Sequence, residues 1–300
     1  LPGREGGRHV SIWMNIPCIS LLLALLSAIG APLLRREEQA LGLTRGVQGT
    51  VAVLSALLLA ELGRTGASVT FVLGHFPAPW GNELKAGPLE ALLALTFSVV
   101  MLLSMTGGAQ DIREGLQKGR QGRYCLLMQL LYAALLAMVY TNDLFTAYVF
   151  IEIAAITACI AVAAKESGRS IVAAIRYLVL SCLGSGLILL GISILYCTTG
   201  HLLMEDLSRA VEQLSSAGRY EVPLTASALL MAVGLSIKSA QFPFHAWLPD
   251  AHASATTSAS AILSGLTLKG YLILMVKLIV RVYGGDLIAS IYMHDLLLLL

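Results

Sequence analysis

Charged side chains are scarce in this 300-residue chain: Asp, Glu, Lys and Arg make up 13% of it, whereas 57% is hydrophobic. Soluble globular domains carry about 25% charged residues and about 45–50% apolar ones. So few charges could not cover the surface of a water-soluble globule of this length. The same composition excludes a disordered chain, a collagen-like repeat and a small disulfide scaffold. With a mean hydropathy of +0.78, the chain is predicted to be a polytopic membrane protein.

The sequence also lacks the motifs of most cofactor and nucleotide sites. Its five cysteines form no CxxC pair and lie in or beside apolar stretches, so they are interpreted as packing residues. No Walker loop, HExxH or nucleophile elbow occurs. Gly184, Gly186 and Gly191 have no strand before them, which favours helix packing over a dinucleotide loop. The net charge of +2 gives no indication of a nucleic-acid partner, and we expect no cofactor in this chain.

Long apolar runs divide the chain into membrane spans, each of which needs about 20 mostly apolar residues. Runs with at most two ionisable residues occupy residues 10–34, 46–60, 91–110, 124–142, 144–164, 177–200, 222–249 and 251–276. The chain then ends in a further apolar run, DLLLLL. Outer-membrane barrels show alternating segments of about ten residues instead. The pattern therefore predicts an all-α polytopic membrane protein with eight transmembrane helices and the start of a ninth.

Lys and Arg are distributed unevenly among the segments that connect these spans. The connections after spans one, three and five carry more Lys and Arg than the connections after spans two, four and six. By the positive-inside bias, we expect the odd-numbered connections to face the cytoplasm and the N-terminus to lie outside the plasma membrane. The chain opens on a polar LPGREGGRHVSIW before Met14, and it stops inside an apolar run. We therefore expect a fragment of a longer protein.

Three ionisable residues lie near the middle of predicted spans: Glu152, Lys238 and Lys269. An ionised side chain at the bilayer centre costs at least about 2.5–3.5 kcal/mol on insertion scales, and such residues are functional by default. Burial also brings the protonation equilibria of such groups closer to physiological pH, as a proton relay requires. The alternative is a structural ion pair that fixes helix packing, but one Glu with two Lys leaves one ammonium unpaired. We interpret the three residues as proton-translocating.

A helix break is predicted directly after Lys238. Pro243 and Pro249 lie within the apolar run, and proline removes a backbone donor and clashes with the preceding turn. Transporters build ion sites at mid-membrane from such broken helices. An ordinary kink is the alternative, but here the break adjoins a charge.

Further polar residues follow the break and could extend a proton path. His245 and His252 have ordinary pKa values near neutrality, and their spacing of seven places them on roughly one face of a continuous helix. No other ligand cluster accompanies them, so a metal site is not expected. Ser260, Ser264 and Thr267 belong to a hydroxyl-rich run that could carry water and protons. Close packing of helices through small residues explains the same run equally well.

These same segments resemble a known family. KSAQFPFHAWLPDAHA, at residues 238–253, closely resembles the signature of the antiporter-like proton-translocating membrane subunits. That family includes the pumping subunits of respiratory complex I, the Mrp-type cation/proton antiporters and the membrane-bound hydrogenases. FVLGHFPAPWGNELKAGPLEAL, at residues 71–92, is similar to its outer hairpin, and NDLFTAYVFIEIAAI, at residues 142–156, resembles its fifth span. TSASAILSGLTLKGY, at residues 257–271, is most similar to the D-type subunit of Mrp antiporters.

The resemblance implies a fold of about fourteen helices with two inverted five-helix repeats, each a half-channel with a broken helix. Residues 1–13 are then a polar leader, and 14–123 hold helices one to three with the outer hairpin. Residues 124–283 form the first half-channel repeat, and 284–300 begin a truncated second one. Glu152 and Lys238 would be the coupled pair, with Lys269 as the exit toward the central hydrophilic axis. Thr256-Thr257 stand where relatives have a proline-threonine pair, which leaves the start of span eight open.

The predicted function is a proton-translocating, or sodium/proton-exchanging, membrane subunit of a multisubunit antiporter or redox-driven pump. Its partners would be other membrane subunits, the transported protons or Na⁺, and the lipid bilayer. One alternative is a scaffold subunit whose buried charges only hold helices together. Another is a stand-alone carrier that uses the broken helix as its solute site. Any redox centre would belong to partner subunits.

Overall fold

The computed structural model describes residues 10–34, 36–72, 82–117 and 119–284. The predicted start of a ninth span and most of the polar leader lie outside these residues. The α-helices are α1 (Val10–Gly30), α2 (Glu37–Thr65), α3 (Pro88–Gly107), α4 (Ala109–Gly115), α5 (Gln121–Tyr140), α6 (Leu144–Val162), α7 (Gly168–Thr199), α8 (Met204–Ser216), α9 (Glu221–Lys238), α10 (Leu248–Ser254), α11 (Thr257–Ile262) and α12 (Leu268–Leu278).

Eight helical segments of the described chain are long and apolar enough to cross a membrane. They are Asn15–Leu33, Glu37–Thr65, Pro88–Gly107, Gln121–Tyr140, Leu144–Lys165, Gly168–Thr199, Glu221–Lys238 and Thr257–Tyr283. The prediction of an all-α polytopic membrane protein with eight spans is confirmed. The last span is composite, because π-helical turns at Leu263–Thr267 and Ile279–Tyr283 interrupt and end it.

Two of the helices are longer than the uncharged runs that predicted them. The second begins at Glu37 rather than near residue 46, with Glu37 and Glu38 in its first turn and Arg64 in its last. Carboxylates near a helix N-terminus and cations near its C-terminus stabilise the helix dipole. Charges therefore mark the ends of the apolar run but do not end the helix.

The two ends of the helix bundle carry different elements. Strands β1 (Val69–Val72) and β2 (Glu83–Ala86) form an antiparallel pair in which Val69 faces Ala86 and Val72 faces Glu83. Bridges from Leu84 to Thr141 and from Asp143 to Leu203 join this pair to the turn between α5 and α6 and to the start of α8. We call this the hairpin end, and the opposite end, which carries α4, the α4 end.

Glycines allow α7 and α9 to touch backbone to backbone. A Cβ atom added to Gly184 would lie 2.8 Å from the carbonyl oxygen of Gly234, and one added to Gly234 would lie 2.6 Å from that of Gly184. A Cβ on Gly191 would lie 2.6 Å from the side chain of Met231. Small residues allow such close approach of helices in membranes. The packing interpretation is confirmed for Gly184 and Gly191, whereas a Cβ on Gly186 would meet no atom within 4 Å.

This contact generates a stability prediction. We expect Gly234→Ala to destabilise the protein by about 1–3 kcal/mol, because the added methyl overpacks the contact between α7 and α9. The measurement is the thermal unfolding of the purified protein in detergent. Gly186→Ala is the matched control on α7 and should be neutral or slightly stabilising, since alanine has the higher helix propensity. Equal stability of the two variants would show that the close contact does not form.

Candidate functional site

Lys238 is the last residue of α9, and it is almost completely buried. The chain then turns through Ala240, which has a positive φ of 53°, and the amide of Gln241 donates to the carbonyl of Ser236 at 3.0 Å. Pro243 precedes a 3₁₀ turn at Phe244–Trp247, and α10 follows. The helix break directly after the lysine is therefore present. The ammonium lies at a helix C-terminus, where the helix dipole favours a cation.

The second proline and the first histidine of this segment have less direct roles than the sequence indicated. Pro249 lies in the first turn of α10, where its missing N–H interrupts no helical hydrogen bond. His245 lies in the 3₁₀ turn, is exposed and stacks on Phe242 with ring centroids 5.9 Å apart. His252 lies in α10. Because the two histidines belong to different elements, the helical spacing of seven does not apply to them.

Glu152 and Lys238 form an ion pair. Glu152 lies in the middle of α6, and its Oε1 is 3.2 Å from the Nζ of Lys238. The lysine side chain is 0% exposed and the glutamate side chain 29% exposed. The structure thus brings together two of the three charges that the sequence places at mid-membrane.

Two serines of α7 complete the hydrogen bonding of this pair, and sequence reasoning missed both. The Nζ of Lys238 donates to the Oγ of Ser181 at 3.0 Å, and the hydroxyl of Ser185 donates to Glu152. The serines are one helical turn apart and flank Gly184, at the contact with α9. Two serines at a spacing of four, on the face that carries the packing glycine, are the sequence signal that could have identified them.

Aromatic rings enclose the other side of the ammonium. The Nζ of Lys238 lies 5.8 Å from the ring centroid of Tyr271, within the range of a cation–π interaction. Tyr271 is fully buried and interacts electrostatically with Tyr177. Tyr177 stacks on Trp247 with ring centroids 4.3 Å apart and an interplanar angle of 8°. These rings connect the ion pair to the 3₁₀ turn that follows the helix break.

Lys269 is separate from this pair. It lies at the middle of span eight, directly after the first π turn, and its side chain is exposed in the described part of the chain. Nδ1 of His252 lies 2.9 Å from the Oγ of Ser260, and both residues line an open groove with Ser264. Lys269 is close enough to act on His252 electrostatically. The buried Thr267 bonds instead to the carbonyl of Ile262 within the π turn, at 3.5 Å.

Hydroxyl groups fix the start of span eight at the α4 end. Thr256 is the N-cap of α11, and its Oγ1 accepts from the amide of Ala259 at 3.3 Å. The buried hydroxyl of Tyr124 bonds to Thr256 at 2.7 Å and to Ser258 at 2.6 Å. The helix start that the sequence left open is therefore Thr257, and a threonine cap holds it without the proline of the relatives.

Asp111 of α4 anchors the same helix start. Its Oδ2 accepts from the amide of Thr257 at 2.6 Å and from the hydroxyl of Thr257 at 2.9 Å, and Lys165 lies 3.5 Å from Oδ1. Partial burial acts to raise the pKa of this carboxyl. The hydrogen bonds from Thr257 and the Lys165 ammonium outweigh burial, so the pKa of Asp111 is lowered from its ordinary value.

The part of the chain that carries the three mid-membrane charges is similar to a known family. Residues 141–299, just over half of the chain, match the sequence model of the NADH:quinone oxidoreductase/Mrp antiporter transmembrane family. The chain belongs to this family. The matched region includes Glu152, Lys238 and Lys269.

Similar proteins include subunits of two kinds of complex. The chain is 34% identical over 260 residues to NADH-quinone oxidoreductase subunit N of Desulforudis audaxviator, which covers 85% of this chain and 50% of that protein. It is 25% identical over 284 residues to the D-type subunit of the Na⁺/H⁺ antiporter of Bacillus subtilis, which covers 95% of this chain and 56% of that protein. The chain therefore spans about half the length of the curated relatives it matches.

Two solved structures share the fold. A chain of the membrane-bound sulfane sulfur reductase, an archaeal respiratory membrane complex, superposes with a TM-score of 0.80 at 23% identity and covers 93% of this chain and 57% of that one. A chain of the Mrp complex from Dietzia sp. DQ12-45-1b superposes with a TM-score of 0.77 at 20% identity and covers 92% and 50%. The helical arrangement described above is thus that of respiratory and antiporter membrane subunits.

The Asp111 anchor generates a pH-dependent stability prediction. We expect Asp111→Asn to destabilise the protein at pH 7 by about 0.5–2 kcal/mol, the range for losing a side-chain cap. Because the folded pKa is lowered, the stabilisation is fully present above the unfolded pKa of about 3.9 and is lost as pH falls through the folded pKa. The difference between wild type and variant in thermal denaturation should therefore shrink below about pH 4. Glu114→Gln is the control, since the exposed Glu114 bonds to Gln110 within α4. A difference that stays constant with pH would contradict the assignment.

Proposed function

We propose that this chain is a proton-translocating subunit of a multisubunit membrane complex, and that Glu152 and Lys238 form its switchable ion pair. The observation that carries the proposal is the contact of 3.2 Å between these two side chains at mid-membrane, with the lysine directly before a helix break. Membership of the NADH:quinone oxidoreductase/Mrp antiporter family supports it.

The proposed mechanism is electrostatic. A buried ammonium is strongly destabilised unless it is paired and hydrogen-bonded, and attraction between charges is strong where water is excluded. Here Glu152 supplies the pairing charge, and Ser181 accepts a hydrogen bond. Moving Glu152 away would remove the largest compensation for the charge on Lys238. The ammonium would then release its proton to the next acceptor, and closing the pair would favour reloading.

Lys269 is the proposed next carrier. It and Tyr271 lie on α12, and Tyr271 contacts Lys238. His252 and Ser260, with Ser264 in the same groove and Thr267 in the adjacent π turn, are the proposed auxiliary groups of the path. The open groove gives this part of the path access to water or to a neighbouring protein surface. Pro243 and Pro249 would serve by keeping the segment after Lys238 out of a continuous helix.

The proposed placement in the membrane follows from the distribution of Lys and Arg. Helices α5 to α7, α9 and the composite span eight would form the first half-channel repeat, residues 124–283. The α4 end would face the cytoplasm, and the hairpin end and the N-terminus would face outward across the plasma membrane. Other membrane subunits would be its partners, as the names of the relatives are names of subunits. Na⁺ is the proposed candidate for exchange against protons, since one relative belongs to a Na⁺/H⁺ antiporter.

Removal of either charge tests the function. We expect Glu152→Gln and Lys238→Ala to abolish proton transport, a fall of at least about a hundredfold. An uncompensated buried charge costs about 3–5 kcal/mol, and each 1.4 kcal/mol is a factor of about ten. Assembly should be unaffected. The measurement is pH-dye quenching in vesicles that contain the complete reconstituted complex, with and without Na⁺.

A matched control and a double variant separate this function from a scaffold role. Arg176→Ala breaks the exposed ion pair with Asp250 and should keep transport within about twofold. In a scaffold subunit, the neutral pair Glu152→Gln with Lys238→Met would preserve all activity, because no unpaired charge remains buried. Full transport by that double variant, or by either single variant, would refute the proposed function. Solute uptake by the chain on its own would favour a stand-alone carrier instead.

A further inference from the structure

A second buried lysine lies on α12, outside the site described above. Lys277 is 8% exposed, and its Nζ donates to the carbonyl oxygens of Val139 at 3.0 Å and Thr141 at 2.6 Å. These carbonyls belong to the C-terminal end of α5. The last carbonyls of a helix have no partner within the helix, and a cation placed there also interacts favourably with the helix dipole. Lys277 therefore ties α12 to the end of α5.

Further contacts hold the same end of span eight. Arg281 forms an ion pair with Glu90, which is 4% exposed in the first turn of α3 and also accepts from the amide of Gly87 at 2.9 Å. The hydroxyl of Tyr283 lies 2.5 Å from that of Ser227 on α9. The hairpin end of span eight is thus joined by polar contacts to α3, α5 and α9.

These contacts matter for the ion pair because α12 is a short helix between two π turns. Within π turns the regular α-helical hydrogen-bonding pattern is interrupted, and such turns occur frequently at functional sites. The position of α12 along and around its axis therefore depends on tertiary contacts at its end. Tyr271 lies six residues before Lys277, a rise of about 9 Å along a rigid helix. A shift at Lys277 would thus move Tyr271 relative to Lys238.

We propose that Lys277 is a positioning residue for proton transfer: by anchoring α12 on the end of α5, it holds Tyr271 against Lys238 and Lys269 at the middle of span eight. This inference rests on the proposed function of the Glu152–Lys238 pair. Arg281 and Glu90 form the second anchor of the same helix. Lys277 itself does not carry a proton in this scheme.

Two substitutions at one position test the assignment in the reconstituted complex. Arginine keeps a permanent positive charge and several donors, but it does not deprotonate in proteins. We expect Lys277→Arg to transport protons within about twofold of wild type, and Lys277→Met to lose at least about tenfold, the effect of leaving buried carbonyls unpaired. The pH profile of the residual transport should shift in Lys277→Met and stay unchanged in Lys277→Arg. Arg209→Met, on a side chain of α8 that is 73% exposed, is the control and should be neutral.

Three results would overturn the proposal. Normal transport by Lys277→Met would show that the anchor is not needed. Loss of transport in an assembled Lys277→Arg complex would make Lys277 a proton carrier rather than a positioning residue. If Lys277→Met does not assemble, Glu90→Gln provides the milder test, because the amide still accepts a hydrogen bond from Arg281. An assembled Glu90→Gln complex with unchanged transport would then reduce the cluster to a folding anchor.

The Lys238 variant distinguishes failure of this inference from failure of the proposed function. If Lys238→Ala abolishes transport and Lys277→Met does not affect it, only the positioning role is refuted. If Lys238→Ala transports normally, both proposals are refuted.

Discussion

The cost of keeping an ammonium group out of water governs the arrangement around Lys238. A charge in a medium of low dielectric needs a counter-charge and hydrogen-bond acceptors at short range. Three helices supply them: α6 provides Glu152, α7 provides Ser181 and α12 provides the face of Tyr271. The dipole of α9 adds a fourth contribution, since the lysine is its last residue. Each contribution works only at short distance, so the four helices must be held in fixed relative positions.

The packing of the helices is consistent with that requirement. Glycines at the contact between α7 and α9 bring the two backbones together at the level of Ser181, so that the lysine stem reaches across to α6. Span eight is held at both ends by polar contacts, from Asp111 to Thr257 at the α4 end and from Lys277 to the end of α5 at the hairpin end. Between these anchors lies a π turn next to Lys269. The firmly held parts and the irregular parts of span eight thus alternate, with the irregular part at the depth of the proton path.

The sequence predicted the depth of the charges but not the direction in which they face. Scarce charge identifies eight spans and singles out Glu152 and Lys238, because an ionised group in an apolar run is conspicuous. Which side of a helix faces a neighbour depends on how helices rotate and cross, and an apolar run without polar periodicity carries no such signal. Lys269 is therefore at mid-span but exposed, and the serines of α7 escaped notice among ordinary small residues. Lys277 escaped notice because it lies just past the end of the apolar run.

The unequal exposure of the pair indicates which partner is free to move. The lysine is enclosed by α7, α9 and α12, and its side chain has no exposed surface, whereas 29% of the glutamate side chain borders the surface of the chain. Displacing the lysine would require repacking the glycine contact and the aromatic rings together. The carboxylate has to give up the lysine and the hydroxyl of Ser185, and water or a neighbouring group can replace both at the exposed side. In the proposed mechanism, separation of the charges therefore begins with a movement of Glu152, and Lys238 stays in place as the proton-bearing group.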